Sequence, residues 1–184
     1  MKRIMLLIVI MMTLQQFVNA QTKYFTKNGK ITFFSKASLE NIEALNKSVT
    51  AVLDTKSGNI QFAVLMKGFE FEKALMQEHF NENYLESHKY PKAIFKGEVL
   101  NNSSIDYAKN GTYKAKVKGT LTIHGETQPV ETEGNIVVNG NQLKTDANFT
   151  VALADYKITI PKIVKNNIAK VVSIQVDCLL EPLQ

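Results

Sequence analysis

The sequence predicts an all-β domain of about eight antiparallel strands that carries one short helix. The clearest observation is the strict alternation over residues 112–124, where small and apolar residues form one row and lysine, threonine and histidine form the other. A second is Asn139-Gly140, which lies between two alternating runs and supplies the positive φ angles of a tight hairpin turn. A third is the stretch 69–97, which switches to helical periodicity and indicates a helix that caps a sheet.

The first 20 residues predict a secretory signal peptide. Lys2 and Arg3 precede an apolar run over residues 4–14, which is shorter than the roughly 20 residues that a membrane span needs. We expect cleavage near Ala20, which leaves residues 21–184 as one domain without an integral membrane segment. The predicted location is periplasmic or secreted.

The sequence of the N-terminal half of this domain predicts strands, and one segment between them is ambiguous. Residues 23–36 read as two strand pieces joined by a turn or bulge at residues 27–30. Residues 38–46 predict a helical turn, because apolar side chains recur there at helical spacing. Residues 49–53 and 59–66 flank a cluster of turn-forming residues and predict an antiparallel hairpin.

The helix is predicted between residues 70 and 81, and a strand is predicted to follow Tyr90-Pro91. Two interpretations of the helix stay open: it packs on a core, or it closes a hydrophobic cavity. The apolar face of the helix is predicted to consist of Phe71, Leu75, Met76, His79 and Phe80.

The C-terminal half predicts further alternating strands over residues 130–138, 143–153 and 169–180, with Cys178 as a buried thiol. Such strands build either a closed barrel or a two-layer sandwich, and the pattern alone leaves both open. Small residues on the inner rows either make room for a ligand or relieve crowding where strands bend. These residues are Ala115, Gly119, Gly134 and Ala147.

Composition and spacing exclude several function classes. The formal net charge of +5 falls to +3 without the two basic residues of the signal peptide, and no dense basic cluster interleaves with aromatics, so we expect no nucleic-acid partner. The three histidines lack metal-ligand spacing. The chain also has no Gly-x-Ser-x-Gly elbow and no glycine-rich phosphate loop. We therefore predict a protein that is not an enzyme, with no catalytic residues, metal or cofactor.

Three blocks of sequence resemble one known family. Residues 121–130, LTIHGETQPV, are similar to a signature of the YceI-like, polyisoprenoid-binding periplasmic proteins. The residues around the predicted helix, namely His79, Tyr84, Leu85, Tyr90, Pro91 and Phe95, resemble a second family block, and residues 153–158 resemble a third. One departure is Leu153, which stands where many members carry arginine.

The resemblance implies a lipocalin-like antiparallel β-barrel whose apolar tunnel holds a long-chain isoprenoid or other lipid, with the helix near its mouth. The function it implies is that of an exported, soluble lipid-binding protein for transport, storage or sequestration, and a homodimer is compatible with it. From the alternation we expect the tunnel to be lined by Phe62, Val64, Phe71, Leu75, Met76, Phe80, Phe95, Tyr113, Val117, Leu121, Phe149 and Val151.

An alternative function stays open at this stage. The barrel could be filled with side chains and act as an envelope stress or surface-interaction protein with no lipid cargo. The row formed by Lys114, Lys116 and Lys118 would then be part of an exposed interaction surface.

Overall fold

A computed structural model of the chain describes residues 22–183. The predicted signal peptide and its cleavage site lie outside the described residues. The described part contains one short α-helix, α1 (Ala74–His79), and nine strands. The strands are β1 (Lys23–Lys36), β2 (Asn41–Asp54), β3 (Asn59–Leu65), β4 (Phe69–Phe71), β5 (Lys92–Val99), β6 (Gly111–Ile123), β7 (Glu126–Asn139), β8 (Gln142–Ala152) and β9 (Val171–Pro182).

The strands form one antiparallel sheet that closes on itself. Their order is β1-β9-β8-β7-β6-β5-β3-β2, and a further pairing of β1 with β2 completes the ring. The short β4 pairs with the first part of β2 while β3 pairs with its last part, so β3 and β4 share one of eight positions. Closure removes the exposed edges that a sandwich would leave. The predicted all-β barrel with a short helix is confirmed.

A buried asparagine stabilises the break between β3 and β4. Asn46 on β2 has no exposed surface, and its Nδ2 donates to the carbonyl oxygen of Leu65 at 2.8 Å. Its Oδ1 accepts a hydrogen bond from the backbone N–H of Ser48 at 2.9 Å. The side chain thus satisfies backbone groups that the sheet leaves unpaired where the chain turns through Met66–Gly68.

Of two predictions made for the N-terminal half, one is confirmed and the other is wrong. The bulge predicted near Gly29 is confirmed, because the register of β1 shifts on either side of this residue. The helical turn predicted at 38–46 is wrong, since β2 begins at Asn41 and pairs Ile42 with Ser35 of β1. Leu39 is 71% exposed, so no apolar helical face forms. Cross-strand pairing outweighs the local helical spacing here.

The predicted helix is also partly misplaced. Phe71 belongs to β4, and α1 begins only at Ala74 before continuing into a π-helical turn, Phe80–Tyr84. The start predicted at residue 70 is therefore wrong, because Phe71 pairs with Ala44 of β2. The strand predicted after Tyr90-Pro91 is confirmed as β5.

The two ends of the barrel differ in how they are filled. At one end, called the mouth here, lie α1, the β1–β2 loop, the β6–β7 turn and residues 153–170. At the other end, called the floor, Leu53, Leu143 and Leu180 have no exposed surface and pack as a solid core. Cys178 is buried as predicted, and burial raises the pKa of its thiol to about 12. Any open space inside the barrel therefore lies on the mouth side of this core.

Candidate binding site

A cavity of about 380 Å³ occupies the barrel between the floor and the mouth. Its walls are the inward rows of the strands, and they are predominantly aliphatic and aromatic. Pockets that bind small molecules usually measure about 300–1,000 Å³ and are mostly apolar. In size and lining the cavity suits an apolar ligand.

The structure places most of the residues that the sequence predicts for the tunnel in the cavity wall. Leu75 is not among them, because it lies on the outer side of α1 and is 61% exposed. Tyr113 is not among them either, and its hydroxyl donates to the carbonyl oxygen of Lys109 at 3.0 Å in a loop at the floor end. The ten predicted residues that line the cavity are Phe62, Val64, Phe71, Met76, Phe80, Phe95, Val117, Leu121, Phe149 and Val151.

Sequence reasoning missed part of the wall. Ile31 and Phe33 of β1 and Phe69 of β4 line the cavity, as do Met66 and Ile136. The signal for the β1 residues was present, because Ile31 and Phe33 alternate within a predicted strand. Phe69 carries no such signal, because it directly precedes the helix that the sequence predicts between residues 70 and 81.

The small residues of the inner rows divide into the two roles that the sequence left open. Ala115, Gly134 and Ala147 are paired side by side across β6, β7 and β8, and all three line the cavity. Ala115 and Ala147 make room at this level, whereas Gly134 relieves crowding, because a Cβ there would clash with the carbonyl oxygen of Asp146. Gly119 lies under the ring of Phe95, because a Cβ at this position would fall 2.8 Å from the ring. Gly119 therefore relieves crowding and adds no space.

An aromatic cluster lines the cavity near α1. Phe33, Phe69, Phe71 and Phe80 form it, with ring centroids 5.0 to 5.7 Å apart in five pairs. Aromatic pairs at these distances stabilise each other by about 0.5–1.5 kcal/mol beyond the area that they bury. Because Phe80 follows α1 directly, the cluster fixes the helix to the barrel wall.

Polar contacts hold the rim of the mouth together. The carboxylate of Glu40, in the β1–β2 loop, accepts from Lys73 Nζ at 2.9 Å and from Asn167 Nδ2 at 3.4 Å. The Lys73 ammonium lowers the pKa of this carboxyl. The backbone N–H of Ala169 donates to Ser35 Oγ at 2.8 Å. These contacts join the start of α1, the β1–β2 loop and the segment before β9, although solvent screening keeps an exposed ion pair weak.

A second set of polar contacts, called the histidine clasp here, centres on the β6–β7 turn. His124 Nε2 lies 2.9 Å from Glu86 Oε2, and Nδ1 lies 3.1 Å from the carbonyl oxygen of Tyr156. A carbonyl oxygen only accepts hydrogen bonds, and so does an ionised carboxylate, so in each contact the donor is the ring nitrogen of His124. The clasp links the segment after α1 to the turn and to residues 153–157.

Backbone strain concentrates at the histidine clasp. The non-glycine residues with positive φ among residues 22–183 are His124 at 52°, Glu86 at 43° and Lys157 at 55°. A left-handed conformation is disfavoured for such residues and persists where surrounding contacts hold it. Gly125 follows at 79°, where a Cβ would lie 2.6 Å from the ring of Tyr90. The clasp thus supplies contacts that hold three strained positions beside the mouth.

Because Glu86 is part of the histidine clasp, we expect the folded protein to lose stability in acid. The hydrogen bond from His124 lowers the pKa of the Glu86 carboxyl in the folded state. Because the folded pKa lies below the unfolded value of about 4.3, the contribution is present above that pH and is lost as the pH falls through the folded pKa. We expect Glu86→Gln to lower the thermal midpoint at neutral pH and to match the wild type once the wild-type carboxyl is protonated.

Thermal unfolding monitored by circular dichroism between pH 7 and pH 3 measures this effect. Glu70→Gln is the matched control, because Glu70 pairs with Lys47 at 2.8 Å on the exposed surface. An equal deficit of Glu86→Gln at every pH would contradict the assignment.

Comparison with known proteins places the chain in a family. A family model described as a YceI-like domain matches residues 12–180. The chain belongs to the YceI-like family. The resemblance of the three sequence blocks is thereby confirmed. A search of the curated proteins found no match.

Solved structures share the fold of this YceI-like chain at low sequence identity. A polyisoprenoid binding domain from Saccharophagus degradans, implicated in plant cell wall breakdown, has a TM-score of 0.77 and 14% identity, covering 89% of this chain and 99% of that one. Burkholderia cenocepacia BcnA has a TM-score of 0.67 and 20% identity, covering 83% and 95%. A Campylobacter jejuni YCEI protein has a TM-score of 0.58 and 17% identity, covering 76% and 84%.

The departure at Leu153 lies at the mouth of the YceI-like barrel. Leu153 begins a short 3-10 turn, Leu153–Tyr156, and its side chain lines the cavity. Lys157 follows this turn, and its Nζ pairs with Glu126 at 2.7 Å on the outside. This part of the wall therefore presents an apolar side chain to the cavity where an arginine would present a cation.

The outer face of the YceI-like barrel carries mixed charge. Lys116 faces Glu133 and Lys118 faces Glu131 across the β6–β7 ladder, each pair at 3.8 Å. Such exposed pairs contribute little to stability. They place acidic side chains of β7 opposite two of the three lysines of the β6 row, whereas Lys114 lies opposite Asn135.

Within residues 22–183, no group of three or more His, Cys, Asp or Glu side chains is placed to hold a metal ion. Over the same residues, no helix combines the length and the apolar character needed to cross a membrane.

Proposed function

We propose that this protein binds one long apolar molecule of the isoprenoid type inside the barrel, and that it serves in transport, storage or sequestration of that molecule. The observation that supports this function is the apolar cavity of about 380 Å³, which ends on a packed floor and is bordered at the mouth by α1 and the aromatic cluster. The polyisoprenoid binding domain from Saccharophagus degradans, which shares the fold, adds support for a ligand of this class.

Hydrophobic burial is sufficient to hold such a molecule. Each methylene group transferred from water gains about 0.8 kcal/mol, so about fifteen of them gain roughly 12 kcal/mol. Association costs an estimated 4–15 kcal/mol, so a short chain binds weakly and a long chain binds tightly. The walls need no catalytic group for this function.

Equilibrium binding tests the proposal. We expect the delipidated protein to bind a long-chain isoprenoid quinone at one molecule per chain, with a heat-capacity decrease that marks apolar burial. Isothermal titration at several temperatures measures both quantities, with a short isoprenoid alcohol as the weak-binding control. Failure to bind both isoprenoid quinones and long-chain fatty acids would contradict the function.

We further propose that residues 1–20 direct export and that residues 21–184 act in the periplasm as one binding domain. The basic start and short apolar run of the signal sequence support export. The periplasmic character of the YceI-like family supports the location. N-terminal sequencing of the protein recovered from the periplasm tests the cleavage near Ala20, and recovery in the cytoplasm with an intact N-terminus would contradict it.

The alternative function, a filled barrel acting through its surface, has less support. A filled barrel would leave no cavity of this size, and glutamates of β7 pair with Lys116 and Lys118 of the lysine row. No feature of the described residues favours this function over ligand binding.

A further inference from the structure

One buried polar group lines the cavity without a hydrogen-bond partner. The Thr145 side chain faces inward and is 6% exposed. Among the buried side-chain oxygens and nitrogens of residues 22–183, Oγ1 of Thr145 is the one that makes no hydrogen bond within the chain. A buried hydroxyl without a partner costs free energy, so nearly all such groups in folded proteins are satisfied by protein, water or ligand. Thr145 therefore needs a partner that the chain itself does not supply.

Thr145 lies where the open part of the cavity meets the packed floor. Towards the mouth, Ala147 and its cross-strand neighbour Gly134 line the cavity with little or no side chain. Towards the floor, the next inward residue of β8 is Leu143, which has no exposed surface and does not line the cavity. The hydroxyl group thus lies at the bottom of the open cavity. The end of a bound molecule that enters the barrel first would reach this position.

The surroundings of Thr145 favour a neutral ligand group. Its cross-strand neighbours are Ile136, which has no ionisable group, and Cys178. Burial raises the pKa of the Cys178 thiol to about 12, so the thiol is uncharged at neutral pH. The adjacent Asp146 accepts a hydrogen bond from Asn135 Nδ2 at 2.7 Å, so neither neighbour along this part of the β7–β8 ladder supplies a cation that would bind an anion. A threonine hydroxyl both donates and accepts, so it suits a hydroxyl or carbonyl oxygen.

We propose that the ligand carries a neutral hydroxyl or carbonyl group at the end that enters first, and that this group forms a hydrogen bond with Thr145. The proposal rests on the proposed function, namely that the cavity binds an apolar molecule, and it adds the polarity and orientation of that molecule. The ligand is an apolar chain with a polar tip at the floor of the barrel. A purely hydrocarbon leading end leaves Thr145 unpaired and binds less well.

Paired variants and paired probes test the assignment. Thr145→Val removes the hydroxyl with almost no change in shape, and Thr145→Ser keeps the hydroxyl while losing a methyl group. The probes are dodecanol and dodecane, whose affinities for the delipidated full-length mature protein are measured by displacement of a fluorescent fatty probe. Taking the ratio of the two affinities within each variant cancels general effects on the cavity.

The expected result is a dodecanol-to-dodecane affinity ratio that falls about fivefold in Thr145→Val and stays at the wild-type value in Thr145→Ser, since one hydrogen bond is worth about 1 kcal/mol. An unchanged ratio in Thr145→Val, with both probes bound, would overturn the assignment and indicate that a buried water pairs with the hydroxyl. A wild-type protein that binds neither these probes nor a long-chain isoprenoid quinone would contradict the proposed function itself, and the subsite with it.

Discussion

Replacing Ala147 with phenylalanine is expected to weaken binding of a long apolar ligand by roughly 60-fold. Ala147 lines the cavity at the level that Ala115 and Gly134 keep free of large side chains. A ring at this position displaces about three methylene groups of the ligand, and each is worth about 0.8 kcal/mol. The lost burial is about 2.4 kcal/mol, which corresponds to the stated factor.

The same substitution is expected to raise the stability of the ligand-free protein, because it fills empty space and does not overpack a solid core. Cavity-filling changes commonly contribute about 0.5–2 kcal/mol. Titration with an isoprenoid quinone and thermal unfolding measure the two effects. Thr150→Phe is the matched control, since Thr150 is an exposed residue of the same strand. Undiminished binding by a folded Ala147→Phe protein would place the ligand elsewhere.

A charge at Phe80 is expected to speed ligand release by at least about tenfold. Phe80 lines the cavity and contacts Phe33, Phe69 and Phe71 in the aromatic cluster. A carboxylate at this position either costs several kcal/mol in the apolar cluster or turns outward and opens the mouth. Both outcomes remove the barrier between the ligand and solvent.

Leu75→Glu is the control for Phe80→Glu on the same helix. Because Leu75 is 61% exposed, the new carboxylate stays in water and retention should match the wild type. The rate at which a labelled isoprenoid transfers from the protein to acceptor vesicles measures retention, and circular dichroism shows that each variant is folded. Equal retention by folded Phe80→Glu and wild-type proteins would mean that the helix does not control access to the cavity.

The strands could be predicted where the local pattern agrees with the fold. In β6 to β8 the inward and outward rows alternate strictly. The predicted hairpin is confirmed, but its turn lies one residue later, at Gly140-Asn141, because Asn139 ends β7 and pairs with Gln142 and only Gly140 of the predicted pair has positive φ, at 57°. The choice of a barrel over a sandwich could not be made from alternation, because closure depends on the pairing of β1 with both β2 and β9. The pairing of β1 with β9 joins residues near the two ends of the described chain and has no local signature, whereas β1 and β2 form a hairpin of consecutive strands.

The candidate site was predicted less completely than the fold, for three physical reasons. Leu75 was assigned to the cavity because a continuous helix from residue 70 was assumed, whereas β4 takes up Phe71 and shifts the phase of the apolar face. The hydrogen bond between His124 and Glu86 depends on a contact between residues 38 positions apart in sequence. The unpaired hydroxyl of Thr145 cannot be distinguished by sequence from a threonine that bonds to a neighbour.

Mass spectrometry of an organic extract tests the central claim most directly, provided that the protein is purified from its native envelope without detergent. We predict one isoprenoid or other long apolar lipid per chain in the wild-type extract, and little or none in the extract of Ala147→Phe prepared in parallel. A wild-type protein that is folded and yields no stoichiometric lipid would contradict the account, and so would an Ala147→Phe protein that yields the full wild-type amount.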